Sequence, residues 1–254
     1  SLTSLADDPS PQLGAGLDLN SQNITGTGNI DNTGTITTDG LTVAGNTDIS
    51  GGTIKLDGSF PIGTDNVALG NGASSALQSG AQNNTVIGKD AGNKATTGNQ
   101  NTFIGKDAGR EYTTQSHSTV VGASAMRNYI GSACTVVGRN ALVGSSTLAN
   151  NTGNDNIAIG DSVLADNTSG QGNTAVGRTA ANSNTTGSFN VAVGKGAFDA
   201  NTTGNYNVAI GDDALGSNTE ADENVAVGNR AMTHNSTGCW NTGIGAKALC
   251  ANTT

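Results

Sequence analysis

The sequence predicts an all-β chain, a repetitive parallel β-roll or β-solenoid of about eleven 17-residue turns, preceded by a separate shaft of short strands. Three observations carry this reading. A five-residue phrase, Asn, then Val or Thr, a variable residue, Ile or Val, and Gly, returns throughout residues 63–254. Its closing glycines stand at 70, 88, 105, 122, 138, 160, 177, 194, 211, 228 and 245, mostly 17 residues apart. The composition is the third: 38 Gly, 32 Asn and 34 Thr in 254 residues, with 3% aromatics and 12% charged residues. Gly, Asn and Thr are poor helix formers, which excludes a helical bundle. Glycine does not recur every third residue, which excludes collagen.

Each part of the 17-residue unit has a physical reading. The phrase itself is a short strand. Its β-branched positions alternate, as at Val208 and Ile210, and so share one face. The small residue between them, such as Ala209, points to the other face and predicts a layer packed close behind. The first position is Asn in nine of eleven units, Ser118 and Cys134 departing, which predicts stacked amide side chains bonded from turn to turn. Three residues after the closing Gly the residue is Ala in ten of eleven units, with Val163 the exception, so that site has room for about one methyl group. The next position is usually apolar, as at Leu142, Phe198 and Leu215. The two positions just after the Gly vary among Lys, Asp, Arg, Asn and Ser, and are expected to face water. Asn-Thr-Thr-Gly, at Asn184–Gly187 and Asn201–Gly204, is turn chemistry. The best copies define the structural positions as Asn190, Gly194 and Ala197, then Asn207, Gly211 and Ala214, then Asn224, Gly228 and Ala231. Strand pairing from turn to turn makes a rod on the order of 50 Å long. One spacing of 22 residues places an insertion near Gly144–Asn151, where a surface loop is expected.

Residues 1–62 lack the phrase. Single apolar residues recur every five or six positions, at Ile24, Ile30, Ile36, Leu41, Ile49 and Ile54. That is too little for a monomeric core, so the segment is expected to be a thin intertwined β shaft that borrows core from partner chains. The boundary falls near Gly58–Thr64. The chain stops at Asn252-Thr253-Thr254, where the repeat calls for Gly, and so is expected to continue in a longer protein.

Charge and cysteine usage narrow the function classes. Net charge is −9 and no basic run exists, which argues against a nucleic-acid partner. No apolar stretch approaches 18 residues, so no membrane insertion is expected. Cys134, Cys239 and Cys250 fit neither a disulfide framework nor a zinc pattern and are read as free thiols. No cofactor or metal is called for. Neither His117 nor His234 belongs to a nucleophile arrangement. The densest carboxylates, Asp212, Asp213, Glu220, Asp222 and Glu223, read as a solvated acidic edge rather than a glycosidase pair.

The residue before the repeat Asn is the one variable position with a chemical signal. It is Phe189, Tyr206 and Trp240 in three units, which holds three of the eight aromatics of the chain. No structural demand on this position is visible in the sequence, so it is expected to face water. Exposed aromatics stack on sugars and anchor interfaces, so these three are the candidate receptor contacts. Packing against a neighbouring chain is the alternative.

The opening Ser10-Pro11-Gln12-Leu13-Gly14, with Leu17-Asp18-Leu19-Asn20 and Ile24-Thr25-Gly26-Thr27-Gly28, resembles segments of tail-fibre proteins of tailed bacteriophages, especially marine ones. The array is also similar to the Asn-Ser-Val-Ala-Ile-Gly repeats in the heads of YadA-like trimeric autotransporter adhesins, although its period is 17 rather than about 14. The resemblance implies a homotrimeric fibre on the virion that contributes to host attachment. It implies a host glycan or receptor as one partner, and other tail or baseplate proteins at the N-terminal side. The alternative it implies is a bacterial adhesin head on the outer surface. A fibre-borne glycan hydrolase and an ice-binding Thr array are weaker readings from other classes. No enzymatic activity is expected.

Overall fold

The computed structural model describes residues 63–147 and 150–253. The expected shaft over 1–62 lies outside the described residues. Eleven strands follow one another, each three residues long and each ending just before a closing Gly. They are β1 Val67–Leu69, β2 Thr85–Ile87, β3 Thr102–Ile104, β4 Thr119–Val121, β5 Thr135–Val137 and β6 Ile157–Ile159. The series continues with β7 Thr174–Val176, β8 Val191–Val193, β9 Val208–Ile210, β10 Val225–Val227 and β11 Thr242–Ile244. All pair in parallel with their sequence neighbours, in the order β1 to β11, within one sheet. Equivalent positions are in register, as Val208↔Val225, Ala209↔Ala226 and Ile210↔Val227 show. This is a β-solenoid, and no α-helix occurs among the described residues.

The rest of each coil is a run of tight turns. After Gly211, Ala214 N–H donates to the Gly211 carbonyl at 3.3 Å and Asn218 N–H to the Leu215 carbonyl at 3.1 Å. Ladder bonds between coils continue through these turns. Asp213 N–H reaches back to the Lys195 carbonyl, and Leu215 N–H reaches forward to the Ala231 carbonyl, both at 3.0 Å. Backbone bonding between coils thus extends beyond the strands into the turns.

The core is narrow and runs the length of the array. The middle residue of each strand points inward, and Ala158, Ala192, Ala209 and Ala226 are buried. Opposite them lie the buried Ala141, Ala180, Ala197, Ala214 and Ala231, so the one-methyl site is real. Leu142, Leu164, Phe198, Leu215 and Met232 complete the section. Size is balanced locally. Phe103 replaces the small middle residue on β3, and Gly92 and Gly109 stand where other coils carry a large side chain. A methyl on Gly109 would lie 2.8 Å from the Phe103 ring.

Two amide ladders stiffen the column. In the first, each strand Asn lends its side-chain carbonyl to the next coil. Asn190 Oδ1 accepts from Asn207 N–H at 2.9 Å, and Asn207 Oδ1 accepts from Asn224 N–H at 3.0 Å. Asn224 Nδ2 also donates to Asn207 Oδ1 at 3.2 Å. The second ladder, which sequence reasoning read only as turn chemistry, joins Asn167, Asn184 and Asn201. Asn184 Nδ2 donates to Asn167 Oδ1 at 2.8 Å, and Asn201 Nδ2 to Asn184 Oδ1 at 2.6 Å. Where the first ladder departs from Asn, the second carries tyrosine. Tyr112 OH lies 2.8 Å from Ser118 Oγ, and Tyr129 OH donates to the Gly153 carbonyl at 2.9 Å. Burial pushes both phenols up, well above the ordinary tyrosine range. The insertion is closed by Asn151, whose Nδ2 donates to the Asn128 and Ser145 carbonyls at 2.7 Å each.

Candidate functional site

Two surfaces flank the first Asn ladder. One is the outer face of the sheet. Because the middle strand residue points inward, the two β-branched positions point outward. One outward row is Leu69, Ile87, Ile104, Val121, Val137, Ile159, Val176, Val193, Ile210, Val227 and Ile244, without a polar member. The other contains only Val, Ile and Thr, as at Thr102, Ile157 and Val208. None of these outward positions carries charge in a chain of net charge −9. Several are well exposed, Ile159 at 37% and Ile210 at 38%. The strip is about 50 Å long and about 10 Å wide. Parallel sheets are normally covered on both faces. Alternation along the strand places these side chains on one face; the structure makes that face the outer one.

The second surface is the corner just before each strand, where Phe189, Tyr206 and Trp240 sit. The expectation of exposure is met, with 46%, 59% and 76% of each residue accessible. The expectation that nothing structural acts there is not. All eleven residues at this corner have a positive φ, between 55° and 66°. The chain must reverse there to send Asn inward, and only a left-handed residue makes that turn. Gly, Asn and Asp tolerate this conformation, whereas bulky side chains pay about 1–2 kcal/mol. The three aromatics therefore stand where the backbone disfavours them.

The corner residues form a column up the solenoid. Phe189 lies over Gly172, with ring atoms 2.7 Å from where a methyl on Gly172 would be. Tyr206 stacks on Phe189 with centroids 5.3 Å apart and planes 11° from parallel. Glu223 follows on the next coil. Trp240, one coil further, donates its indole N–H to Glu223 Oε2 at 3.0 Å. The structure thus brings Phe189 and Tyr206 into contact and sets Trp240 apart across a carboxylate. The neighbouring Asp222 carboxylate is held by Asn205, whose backbone N–H donates at 2.6 Å.

The remaining candidates are placed as follows. Asn190, Asn207 and Asn224 form the buried ladder, Ala197, Ala214 and Ala231 the core, and Gly194, Gly211 and Gly228 the corner after each strand. These glycines have φ of 141°, 133° and 136°, and a methyl on any of them would strike the closing-Gly carbonyl of the next coil. His117 and His234 are exposed, and His234 Nδ1 lies 2.6 Å from the Cys250 carbonyl. Asp212 and Asp213 line a shallow polar hollow of about 380 Å³ with Lys195, Asp199 and Arg230. Burial first, and Asp213 second, raise the Asp199 carboxyl above its ordinary value. Of the positions after the closing Gly, Asp107 departs from the expectation of exposure and is buried beside Arg110 and Lys106. Cys134 is buried and its thiol is pushed up to about 11 by desolvation, while Cys239 and Cys250 are partly accessible. Among the described residues no group of three or more His, Cys, Asp or Glu could hold a metal ion.

These features define the class of the protein: an all-β parallel solenoid built from a 17-residue repeat, with an apolar outer sheet face. No protein-family model, curated protein or solved structure matches the chain.

Proposed function

We propose that the array is a structural and adhesive segment of a homotrimeric fibre that extends from a virion and contributes to attachment at a host surface. The single observation that carries this reading is the uncharged outer face of the sheet. A projected area of about 500 Å² is at the upper end of what a monomer leaves bare. The natural cover is another copy. Side chains repeat along this face at the strand spacing, and only a surface of the same pitch can interdigitate with it over its whole length. Three copies around one axis bury all three faces and leave the corners and turns outside. The alternative, an adhesin head on a bacterial surface, uses the same assembly and differs in what anchors it.

A cysteine at Val176, in the middle of the aliphatic row, tests the assembly. Mild oxidation of Val176→Cys, in a chain whose accessible Cys239 and Cys250 are replaced by Ser, is expected to give interchain disulfide products. A thiol that reacts freely with reagent and gives no interchain product would overturn the assembly. Attachment is read by competition. Excess soluble chain is expected to lower adsorption of the particle that carries it, and unchanged adsorption would reduce the array to a spacer.

A further inference from the structure

We infer that Tyr206, Glu223 and Trp240 form a binding site for an organic ammonium group presented on a surface. The inference rests on the attachment reading for its biological use, and on the column geometry for its chemistry. Tyr206 has one face against Phe189, so its other face looks along the solenoid toward the coil that carries Glu223. Trp240 stands two coils beyond Tyr206, about 10 Å away along the axis. Glu223 lies between them, oriented by the indole N–H through Oε2. A carboxylate flanked by aromatic rings matches a cation that is itself partly apolar. The open Tyr206 face attracts the charge through its quadrupole, the carboxylate neutralises it, and the methyl or methylene groups lie on that ring, while Trp240 presents its N–H edge to Glu223 and holds the carboxylate in place.

Two further features point the same way. No Lys or Arg occupies any of the eleven corner positions, so the column supplies no cation of its own. Asp222 adds a second negative charge beside the site, and its Oδ1 is held in place by accepting from the backbone N–H and the Nδ2 of Asn205. A neutral sugar stacked on the same open Tyr206 face leaves the Glu223 charge without a counter-charge. A protonated amine or a trimethylammonium group needs only the Tyr206 face and the Glu223 edge.

Trp240 is the only tryptophan of the chain, so its fluorescence reports on this site alone. The full chain is titrated with choline chloride and, separately, with glucosamine hydrochloride. The first represents a quaternary ammonium source and the second an amino-sugar source. 3,3-Dimethylbutan-1-ol and N-acetylglucosamine are the neutral counterparts, and all titrations are held at constant ionic strength. A saturable change with a midpoint on the order of 10 mM is expected for at least one cation and for neither neutral analogue. Glu223→Gln is expected to weaken it at least about threefold, and Tyr206→Ala about as much, with Trp240 still in place as reporter. Equal responses to charged and neutral analogues, or a midpoint unmoved by Glu223→Gln, would overturn the site. The solution mass of each sample is measured in parallel. A trimer without a cation response overturns the site alone, and a monomer with one overturns the fibre reading alone.

Discussion

Replacing Asn207 with alanine removes one rung of the inner ladder, and the structure sets the cost. Asn207 is fully buried. Its Oδ1 is the acceptor for Asn224 N–H at 3.0 Å, and its Nδ2 donates to the Ala221 carbonyl at 2.8 Å. In Asn207→Ala the Asn224 N–H is left without an acceptor inside the column. The Ala221 carbonyl keeps only the longer bond from Asn218 Nδ2 at 3.4 Å. An orphaned buried N–H costs about 2 kcal/mol and a weakened carbonyl about 1, so the expected loss is about 3 kcal/mol. Solenoids open locally, so a single global unfolding midpoint would blur this loss. Native-state hydrogen exchange at the Asn224 amide reads it directly. Protection there is expected to fall on the order of a hundredfold, since about 1.4 kcal/mol is a factor of ten. Asn229→Ala, at an exposed position, is the control and is expected to stay within about 0.5 kcal/mol of the parent. If Asn224 in Asn207→Ala exchanges within about threefold of the parent rate, the ladder is not what holds the coils together.

Further outcomes follow from other parts of the fold. Gly211→Ala combines an unfavourable φ of 133° with a collision against the Gly228 carbonyl. It is expected to destabilise by at least about 2 kcal/mol more than Gly245→Ala, where an added methyl meets nothing among the described residues; native-state hydrogen exchange at the amides of each substituted coil compares them. Cys134 holds its proton in the folded state up to about pH 11, against about 9 when exposed. Its contribution to stability is therefore complete below pH 9 and lost as pH rises from there through about 11. At pH 8 a thiol reagent should titrate Cys239 and Cys250 and reach Cys134 only on unfolding; fast labelling of all three thiols would contradict the burial. Ile159→Lys, in the outer aliphatic row, is expected to leave circular dichroism unchanged and to shift any oligomer toward monomer in sedimentation.

Much of this architecture is visible in spacing alone. Every strand ends immediately before a closing glycine, because that corner demands a φ between 119° and 143° that only Gly adopts without strain. The Ala sites and the first Asn ladder are legible for the same reason: each has one geometry, repeated eleven times, and one residue type that fills it in ten and nine of the units. Compensated pairs were harder to see. Phe103 with Gly92 and Gly109, and Tyr129 with Cys134, read singly as lapses in the pattern. Together they conserve volume and hydrogen bonding across coils. The inward or outward sense of the strand faces was not legible, because alternation groups side chains by face without ranking the faces. The corner conformation was hidden because Asp, Gln, His, Phe and Trp share it, and residue variety there looked like freedom. The contact between Phe189 and Tyr206 follows from the 17-residue spacing, whereas the bond from Trp240 to Glu223 depends on rotamers that spacing does not set.

The most direct measurement is the solution mass of the folded chain by light scattering, with circular dichroism on the same sample. Three copies of a 25.0 kDa chain give about 75 kDa, and that species is the predicted result. A folded, β-rich monomer of 25.0 kDa would show that the aliphatic face of the sheet stands bare in solution, and would contradict the fibre account.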